Sequence, residues 1–382
     1  MGYTRKIAVN TRFLIKDKLE GIGLFTAESL KRIVQAHPEV EFYFLFDRPY
    51  DPSFIFGPNV KPVVLFPPAR HPFLWWWWFE VSVARWLNKH QPDLFLSTDG
   101  YASLGANVPQ VLVMHDLSFE HFKDQVGFAT LKYYEYYMPR FARKATRIAT
   151  VSEYSKQDIV KQYGIDAGKI DVVYNGAKEV YAPVSAEVKQ RLTRDGDYFI
   201  YVGSIHPRKN IVNLLKAFEL FKAKTQSPVK LVLAGRKAWD FKEVDATWQG
   251  MKHKNDVSFL GHVPPAELGE RVGAALAMVY VSLFEGFGIP IVEAMSAGIP
   301  VITSNTTSMP EAAGDAALLV DPYKVEDIAY AMERIATDEL LRKQLVEKGK
   351  VQLQKFSWEK TAEKLWQCCE KAIENNGPTL SR

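Results

Sequence analysis

Residues 277–295 read AMVYVSLFEGFGIPIVEAM. The apolar run Ala277–Val281 is a strand candidate, and Phe284-Glu285-Gly286-Phe287-Gly288 is a loop. Pro290 then opens an apolar helical run that carries Glu293. A strand passing through a glycine-bearing loop into a helix is the repeating unit of a parallel α/β sheet. Pro suits a first helical turn, where its missing N–H would find no partner anyway. Gly286 and Gly288 remove side chains where the backbone turns, so the main chain can approach a ligand closely. The N–H groups of a helix start attract phosphate. Glu285 in the loop and Glu293 about one turn into the helix can face one cleft, and carboxylates accept hydrogen bonds from paired sugar hydroxyls. The plain alternative is a helix start with a dipole-complementing Glu, but capping alone does not ask for Gly-x-Gly between two carboxylates.

The same alternation runs along the chain. Strand candidates in the first half are Ile7–Asn10, Glu41–Phe46, Val63–Phe66, Leu94–Ser97, Val111–Met114, Arg147–Val151 and Asp171–Tyr174. Those in the second half are Phe199–Gly203, Lys230–Ala234, Ser258–Leu260, Ala277–Val281, Val301–Thr303 and Ala317–Val320. Amphipathic helices fall between them, as at Val212–Ala223 with Leu214, Leu215, Phe218 and Phe221 on one face. The pattern restarts near residue 198, after the polar, Pro- and Gly-punctuated stretch Tyr181–Gly196. The reading is an α/β chain of two doubly wound, Rossmann-like domains, residues 1–182 and 183–359, with parallel sheets facing across a cleft. Ligands of such sheets sit outside the carboxyl ends of the strands.

Three further stretches follow strands. Val202-Gly203-Ser204-Ile205-His206-Pro207-Arg208-Lys209-Asn210 places two cations at a helix start, a composition suited to a diphosphate or simply to an exposed basic loop. Val113-Met114-His115-Asp116-Leu117 places a His where it can bond a substrate hydroxyl or shuttle a proton. There Asp116 can equally be a helix cap with His115 incidental. Gly21-Ile22-Gly23, ahead of a helix expected over Thr26–Gln35, lacks the third glycine of a dinucleotide fingerprint and reads as a flexible loop.

Composition excludes several classes. At ~100–200 residues per domain, 382 residues allow two or three domains. With 47% apolar and 24% charged residues the chain suits packed cores rather than long disorder. A net charge of +4, without a basic block or zinc-ligand spacing, argues against a nucleic-acid partner. The two cysteines, Cys368 and Cys369, are adjacent and make no disulfide framework, which fits a reducing cytosol. The first residues lack an apolar region of secretory-signal length, and no run approaches the ~18 apolar residues of a membrane span. The expectation is a cytoplasmic protein.

Taken in order, these stretches resemble the GT-B-fold glycosyltransferases of the large retaining family 4 (glycosyltransferase group 1), and in particular bacterial mannosyltransferases of polysaccharide assembly. The most specific match is Glu-x7-Glu, here Glu285 and Glu293. Thr150-Val151-Ser152-Glu153-Tyr154-Ser155, Tyr174-Asn175-Gly176, Gly203 through Asn210 and Met309-Pro310-Glu311-Ala312-Ala313-Gly314-Asp315-Ala316 support it. The resemblance implies that the second domain holds a nucleotide-diphosphate sugar and the first an acceptor, a glycan or lipid-linked glycan. It further implies that Glu285 binds donor-sugar hydroxyls and Glu293 the ribose. Main-chain N–H groups around Phe287, Gly288 and Ile289 would contact sugar and phosphate. Arg208 and Lys209 would hold the diphosphate, His115 would bond the donor sugar, and Gly23 would lie near the diphosphate. Many members carry Arg after the glycine matched by Gly203, where this chain has Ser204 at the donor site. The family also returns its last helix, here about 360–382, to the first domain.

No metal or other cofactor is expected, because cations and helix starts can stabilise the leaving diphosphate. Asp195-Gly196-Asp197 precedes a strand and reads as a turn. The resemblance implies retention of the anomeric configuration, with the acceptor hydroxyl approaching from the leaving-group side and a phosphate oxygen taking its proton. GDP-mannose is the preferred donor, with a UDP sugar next, and the base is expected near 235–239 and Gly261-His262-Val263. The alternatives are a non-catalytic sugar-nucleotide-binding regulator and a Rossmann oxidoreductase, the latter disfavoured by the missing fingerprint. Trp75-Trp76-Trp77-Trp78-Phe79, in a helix ending near Lys89, must expose at least one indole. It reads as core or acceptor-site aromatics, or as peripheral membrane contact on the inner face of the cell membrane. Tyr133-Tyr134-Glu135-Tyr136-Tyr137-Met138-Pro139-Arg140, followed by Arg143, Lys144 and Arg147, reads as a solvated helix with a packed aromatic face in preference to a lipid-binding patch.

Overall fold

The computed structural model describes residues 5–237 and 241–375. Ala238 and Trp239 of the expected base loop, and residues 376–382 of the expected returning helix, lie outside the described residues. The chain divides into two compact units, residues 1–175 with 358–382, and residues 176–357.

The first unit is built on β1 (Arg5–Asn10), β2 (Val40–Phe46), β3 (Val60–Val64), β4 (Leu94–Ser97), β5 (Gln110–Val113), β6 (Arg147–Thr150) and β7 (Ile170–Val172). They form one sheet in the order β3-β2-β1-β4-β5-β6-β7. Every pair is parallel, with Ile7 opposite Phe42 on one side and Leu94 on the other. Central strands are buried throughout, as a sheet covered by helices on both faces requires. The winding direction reverses between β1 and β4.

The second unit is built on β8 (Tyr198–Val202), β9 (Lys230–Ala234), β10 (Val257–Gly261), β11 (Ala277–Tyr280), β12 (Val301–Ser304) and β13 (Ala317–Val320). Their order is β10-β9-β8-β11-β12-β13, again all parallel, so the reversal falls between β8 and β11. All thirteen strands lie on or overlap the runs read from sequence. The largest offset is β3, which spans Val60–Val64 where the sequence run is Val63–Phe66, although Leu65 N–H still bonds the Phe46 carbonyl at 2.8 Å. There the Trp78 indole N–H donates to the Leu65 carbonyl at 2.9 Å.

The units part at Asn175–Gly176, ahead of the 182–183 division read from composition. The stretch after Gly176 packs on the second unit: Tyr181 is buried, and its carbonyl accepts from Ser296 Oγ at 2.7 Å. Gly269, in the helix Pro265–Ala274, makes room for it, since a Cβ there would sit 2.2 Å from the Val180 carbonyl. The helix Trp358–Glu374 belongs to the first unit. It buries Leu365, Trp366 and both cysteines, and Lys371 bonds Asp171 at 2.7 Å.

One continuous helical run, Pro72–Trp77, a wide π turn Trp78–Val83 and Ala84–His90, carries the four tryptophans. Trp78 is fully buried, Trp75 and Trp76 are half-buried, and Trp77 is 42% exposed. Asp195-Gly196-Asp197 lies in the turn before β8, with Gly196 N–H on the Thr193 carbonyl at 2.9 Å. Gly21-Ile22-Gly23 corrects the loop reading. The helix starts at Ile22, Phe25 N–H bonds the Gly21 carbonyl at 3.0 Å, and Gly23 lies in the first turn. Glycine is needed there because a Cβ would come within 2.8 Å of the Phe13 carbonyl.

Candidate functional site

In open α/β sheets the ligand crevice lies at the carboxyl ends of the strands where the winding reverses. In the second unit that point is flanked by the loops after β8 and β11, the two stretches singled out from sequence. Leaving β8, Gly203 runs against Gly235, where a Cβ would fall 1.8 Å from the Gly203 carbonyl, so the two backbones meet with no side chain between them. A 3-10 turn, Pro207–Lys209, follows, and then Asn210 at φ +62°. The Asn210 amide ties the turn to the Val281 carbonyl at 3.0 Å and the Pro322 carbonyl at 2.7 Å. Leu283 N–H bonds the Arg208 carbonyl at 2.8 Å, which joins the two loops directly.

This joining brings Arg208, Lys209 and Glu285 together. Lys209 Nζ lies 2.5 Å from Glu285 Oε1, and an Arg208 guanidinium nitrogen lies 3.2 Å from Oε2. The Tyr280 hydroxyl, on the last residue of β11, donates to Glu285 Oε1 at 2.7 Å and accepts from Lys209 Nζ at 2.8 Å. Thr307 and Ser308 hold the Glu285 backbone, through its N–H at 3.3 Å and its carbonyl at 2.8 Å. Burial pushes the Glu285 carboxyl up, but Lys209 and Arg208 outweigh it and hold its pKa at about 2. Burial and the adjacent Glu285 push the Tyr280 phenol up, so it stays a proton donor. Two cations therefore meet on one buried carboxylate.

Glu293 sits in a different setting. Gly288, at φ +94°, caps the helix Ile289–Ser296, and Pro290 lies in its first turn, as read from sequence. Glu293 is buried one turn in, beside the Tyr181 hydroxyl. Burial raises its pKa to about 7, against the opposing effects of Lys178 and Tyr181. The two carboxylates of the motif thus have opposite environments. The Phe287 ring packs 5.3 Å from Phe356. The Ser204 carbonyl accepts from Tyr201 at 3.0 Å. In the base region Lys237 Nζ stands 3.7 Å over the Phe241 ring, and His262 is exposed.

In the first unit the reversal between β1 and β4 holds a buried Arg12–Asp99 ion pair, with the guanidinium 4.4 Å over Tyr101. His115 follows β5, and its Nε2 lies 2.9 Å from the Thr98 carbonyl. A carbonyl only accepts, so Nε2 carries the hydrogen and Nδ1 keeps its lone pair. Burial lowers the His115 pKa, which keeps the ring neutral near pH 7. Asp116 does act as a turn cap, accepting from Ser118 N–H at 2.9 Å.

Sequence reading did not find Tyr280, Tyr181, Arg12 or Asp99. Tyr280 is indistinguishable from a core aromatic within its strand, and Tyr181 lies in what reads as a linker. Arg12 and Asp99 are brought together only by the β1–β4 pairing.

Comparison with known proteins places these features. The family model "Glycosyl transferases group 1" matches residues 185–352, and "Glycosyltransferase Family 4" matches residues 20–179. The O-antigen chain mannosyltransferase B of Escherichia coli is 35% identical over 263 residues, 65% of this chain and 67% of that protein. The serotype-specific mannosyltransferase WbdA of Escherichia coli is 30% identical over 273 residues, 67% of this chain but 33% of WbdA, so the chain spans about a third of that larger relative. Anabaena HepE, solved with UDP and glucose, superposes with a TM-score of 0.73 at 20% identity, over 96% of this chain and all of HepE, which speaks for the fold. With one family model on each unit, and the Glu-x7-Glu loop at the winding reversal of the second, the chain belongs to family 4 of the group 1 glycosyltransferases.

Proposed function

We propose that the chain transfers a sugar from a nucleotide-diphosphate donor to a hydroxyl of a glycan or lipid-linked glycan, without a metal and with retention of the anomeric configuration. GDP-mannose is the favoured donor, supported by the O-antigen mannosyltransferase relative. A UDP sugar is second, supported by the UDP bound to HepE. The observation that carries the reading is the Arg208–Glu285–Lys209 cluster beside a helix start at the winding reversal.

In this reading the diphosphate takes Lys209 and Arg208 from Glu285, and Glu285 turns its freed oxygens to sugar hydroxyls while Tyr280 still donates to it. Glu293 accepts from the ribose hydroxyls. Main-chain N–H groups near Phe287, Gly288 and Ile289, with the turn at Ser204, contact sugar and phosphate. Gly23 lies near the diphosphate. His115 Nδ1 accepts from a donor-sugar hydroxyl. The bond from the anomeric carbon to the diphosphate oxygen breaks, the bond to the acceptor oxygen forms, and the acceptor proton passes to a diphosphate oxygen. Charge developing on the leaving group is met by cations already in place. Cytoplasmic residence suits such donors, and no helix among the described residues is long and apolar enough to cross a membrane.

A thermal-shift panel of GDP, UDP and ADP, followed by product analysis with the donor of the winning base, tests this. Stabilisation by GDP and mannosyl transfer support it. Nucleotide binding with neither transfer nor donor hydrolysis would instead support the binding-only alternative.

A further inference from the structure

The sequence motif at 309–316 opens on the short helix Met309–Ala313, and the turn that leads into this helix grips the Glu285 loop. Hydroxyls spaced along β12 and that turn bind the chain leaving β11. Thr303 Oγ1 donates to the Tyr280 carbonyl at 2.8 Å, Ser304 Oγ to the Ser282 carbonyl at 2.6 Å and Ser308 Oγ to the Glu285 carbonyl at 2.8 Å. Glu285 N–H in turn donates to Thr307 Oγ1 at 3.3 Å. Two adjacent residues of one turn thus hold both backbone groups of Glu285. The turn is anchored from behind. Met309, Ala312 and Ala313 are buried, and the Gln352 amide, on the helix Glu339–Leu353, donates to the Glu311 and Ala312 carbonyls at 3.0 and 3.2 Å.

Thr307 sits in this turn at φ +54°. In that left-handed region Cβ crowds the backbone, and a branched side chain has the least room to escape. The other non-glycines with positive φ among the described residues are Asp17, Gln91, Asn210 and Gln226, and none of them is β-branched. Gln91 and Gln226 end helices, where left-handed residues are common. Thr307 instead stands ahead of a helix. A conformation this unfavourable persists only where its surroundings impose it, and such residues gather at functional sites. Here the position supplies the hydroxyl on the Glu285 N–H. Asn210, at φ +62°, secures the same exit from β11 on the opposite side, through the Val281 carbonyl. The segment that carries Glu285 is therefore pinned from β8 by Asn210 and from β12 by Thr307.

We propose that Thr307 is a positioning residue, which keeps the Glu285 main chain still while the carboxylate gives up Lys209 and Arg208 and turns to hydroxyls of the donor sugar. That exchange removes the two cations that steady the side chain, so only the backbone and the Tyr280 hydroxyl remain to aim it. A misplacement of about 1 Å in a reacting complex costs on the order of a hundredfold in rate. The role in transfer rests on the proposed function, and the hold on the Glu285 backbone does not.

The test compares Thr307→Ala, Thr307→Ser and Thr307→Gly in the full chain by transfer kinetics, calorimetry with GDP and UDP, thermal melting, and hydrogen exchange of the peptide bearing Glu285. Thr307→Ala should lower kcat about tenfold or more with a smaller change in the donor KM. It should bind nucleoside diphosphate as the wild type does, since Arg208 and Lys209 are kept, and exchange faster at Glu285. Thr307→Ser should recover most of the rate and the protection. Thr307→Gly relieves the backbone, so it should melt about 2–4 °C above Thr307→Ala and yet turn over no faster. A residue needed only for folding would give the opposite, with activity following the melting temperature. Wild-type turnover in Thr307→Ala, or a rate regained together with stability in Thr307→Gly, would overturn the proposal. So would a loss of nucleoside-diphosphate affinity as large as the loss of turnover. A wild type that transfers no sugar would remove the functional reading and the role in transfer with it. The hold on Glu285 would then stand if Thr307→Ala and Thr307→Gly lose protection while Thr307→Ser keeps it, and fall if all exchange alike.

Discussion

Lys209 and Glu285 form a buried ion pair that the Tyr280 hydroxyl spans, accepting from the ammonium and donating to the carboxylate. The arrangement stores a neutralised cation at the point where a diphosphate would arrive. Removing either charge alone strands the other in a dry site, at a cost of about 3–5 kcal/mol for such a pair. Lys209→Ala is therefore expected to lower stability by that order in urea unfolding. Glu285→Gln in the same chain should return part of it. Turnover in Lys209→Ala should fall by more than the donor Michaelis constant rises, and it should stay low in the double variant. Unchanged turnover would remove the diphosphate role.

Tyr280→Phe keeps the ring stacked 6.0 Å from Tyr201 and deletes only the bridging hydroxyl. A hydrogen bond to a charged group contributes roughly 1.5–3 kcal/mol. A loss of about tenfold or more in kcat/KM is expected, and the acid limb of the pH–rate profile should move up as Glu285 loses a donor. A packing role alone would leave that limb where it is.

Glu293 supplies a pH dependence with a definite sign. Its pKa rises from 4.5 to about 7 on folding, so the native state holds an extra proton between those values. Its contribution to stability is fully present below about pH 4.5 and is lost as pH rises through 7, by about 3 kcal/mol. Glu285 acts oppositely in a separate window, losing its contribution as pH falls from 4.5 toward 2. Urea unfolding at pH 5 and pH 8.5 should show the Glu293 loss in wild type and not in Glu293→Gln. Ribose binding favours the ionised carboxylate, so nucleotide affinity should rise with pH through 7 and flatten in the same variant. Glu293→Ala should weaken donor binding at every pH.

His115→Ala removes the Nδ1 acceptor without touching the second unit. Transfer is expected to fall by about tenfold to a hundredfold, the worth of one hydrogen bond to a sugar hydroxyl in a dry site. Calorimetric affinity for the nucleoside diphosphate alone should be unchanged. An equal loss of that affinity would place His115 on phosphate instead.

Chelation tests the metal-free reading. EDTA should leave the rate unchanged, with Arg208 and Lys209 meeting the charge of the leaving diphosphate. Loss of activity restored by manganese would overturn it.

The strands were legible because a strand buried on both faces reads as a largely apolar run, as β8 and β11 do. The Glu-x7-Glu loop and the cation pair were legible because both follow strands, and residues at strand ends are released from packing to act. The helix start at Gly21–Gly23 was not, since it depends on a close approach by the Phe13 carbonyl, which no local pattern reports. Nor was the pairing of Glu285 with Lys209, 76 residues apart, which needs β8 and β11 to lie side by side. Tyr280 and Tyr181 read as a core aromatic and a linker residue, and only packing turned their hydroxyls onto carboxylates. Sequence by itself determined the order of elements and the chemistry available at their ends, because hydrophobic period and backbone turns are local properties. Tertiary structure alone decided which carboxylate is held ionised and which is pushed toward its neutral form, because that depends on the charges and the loss of water that distant segments impose.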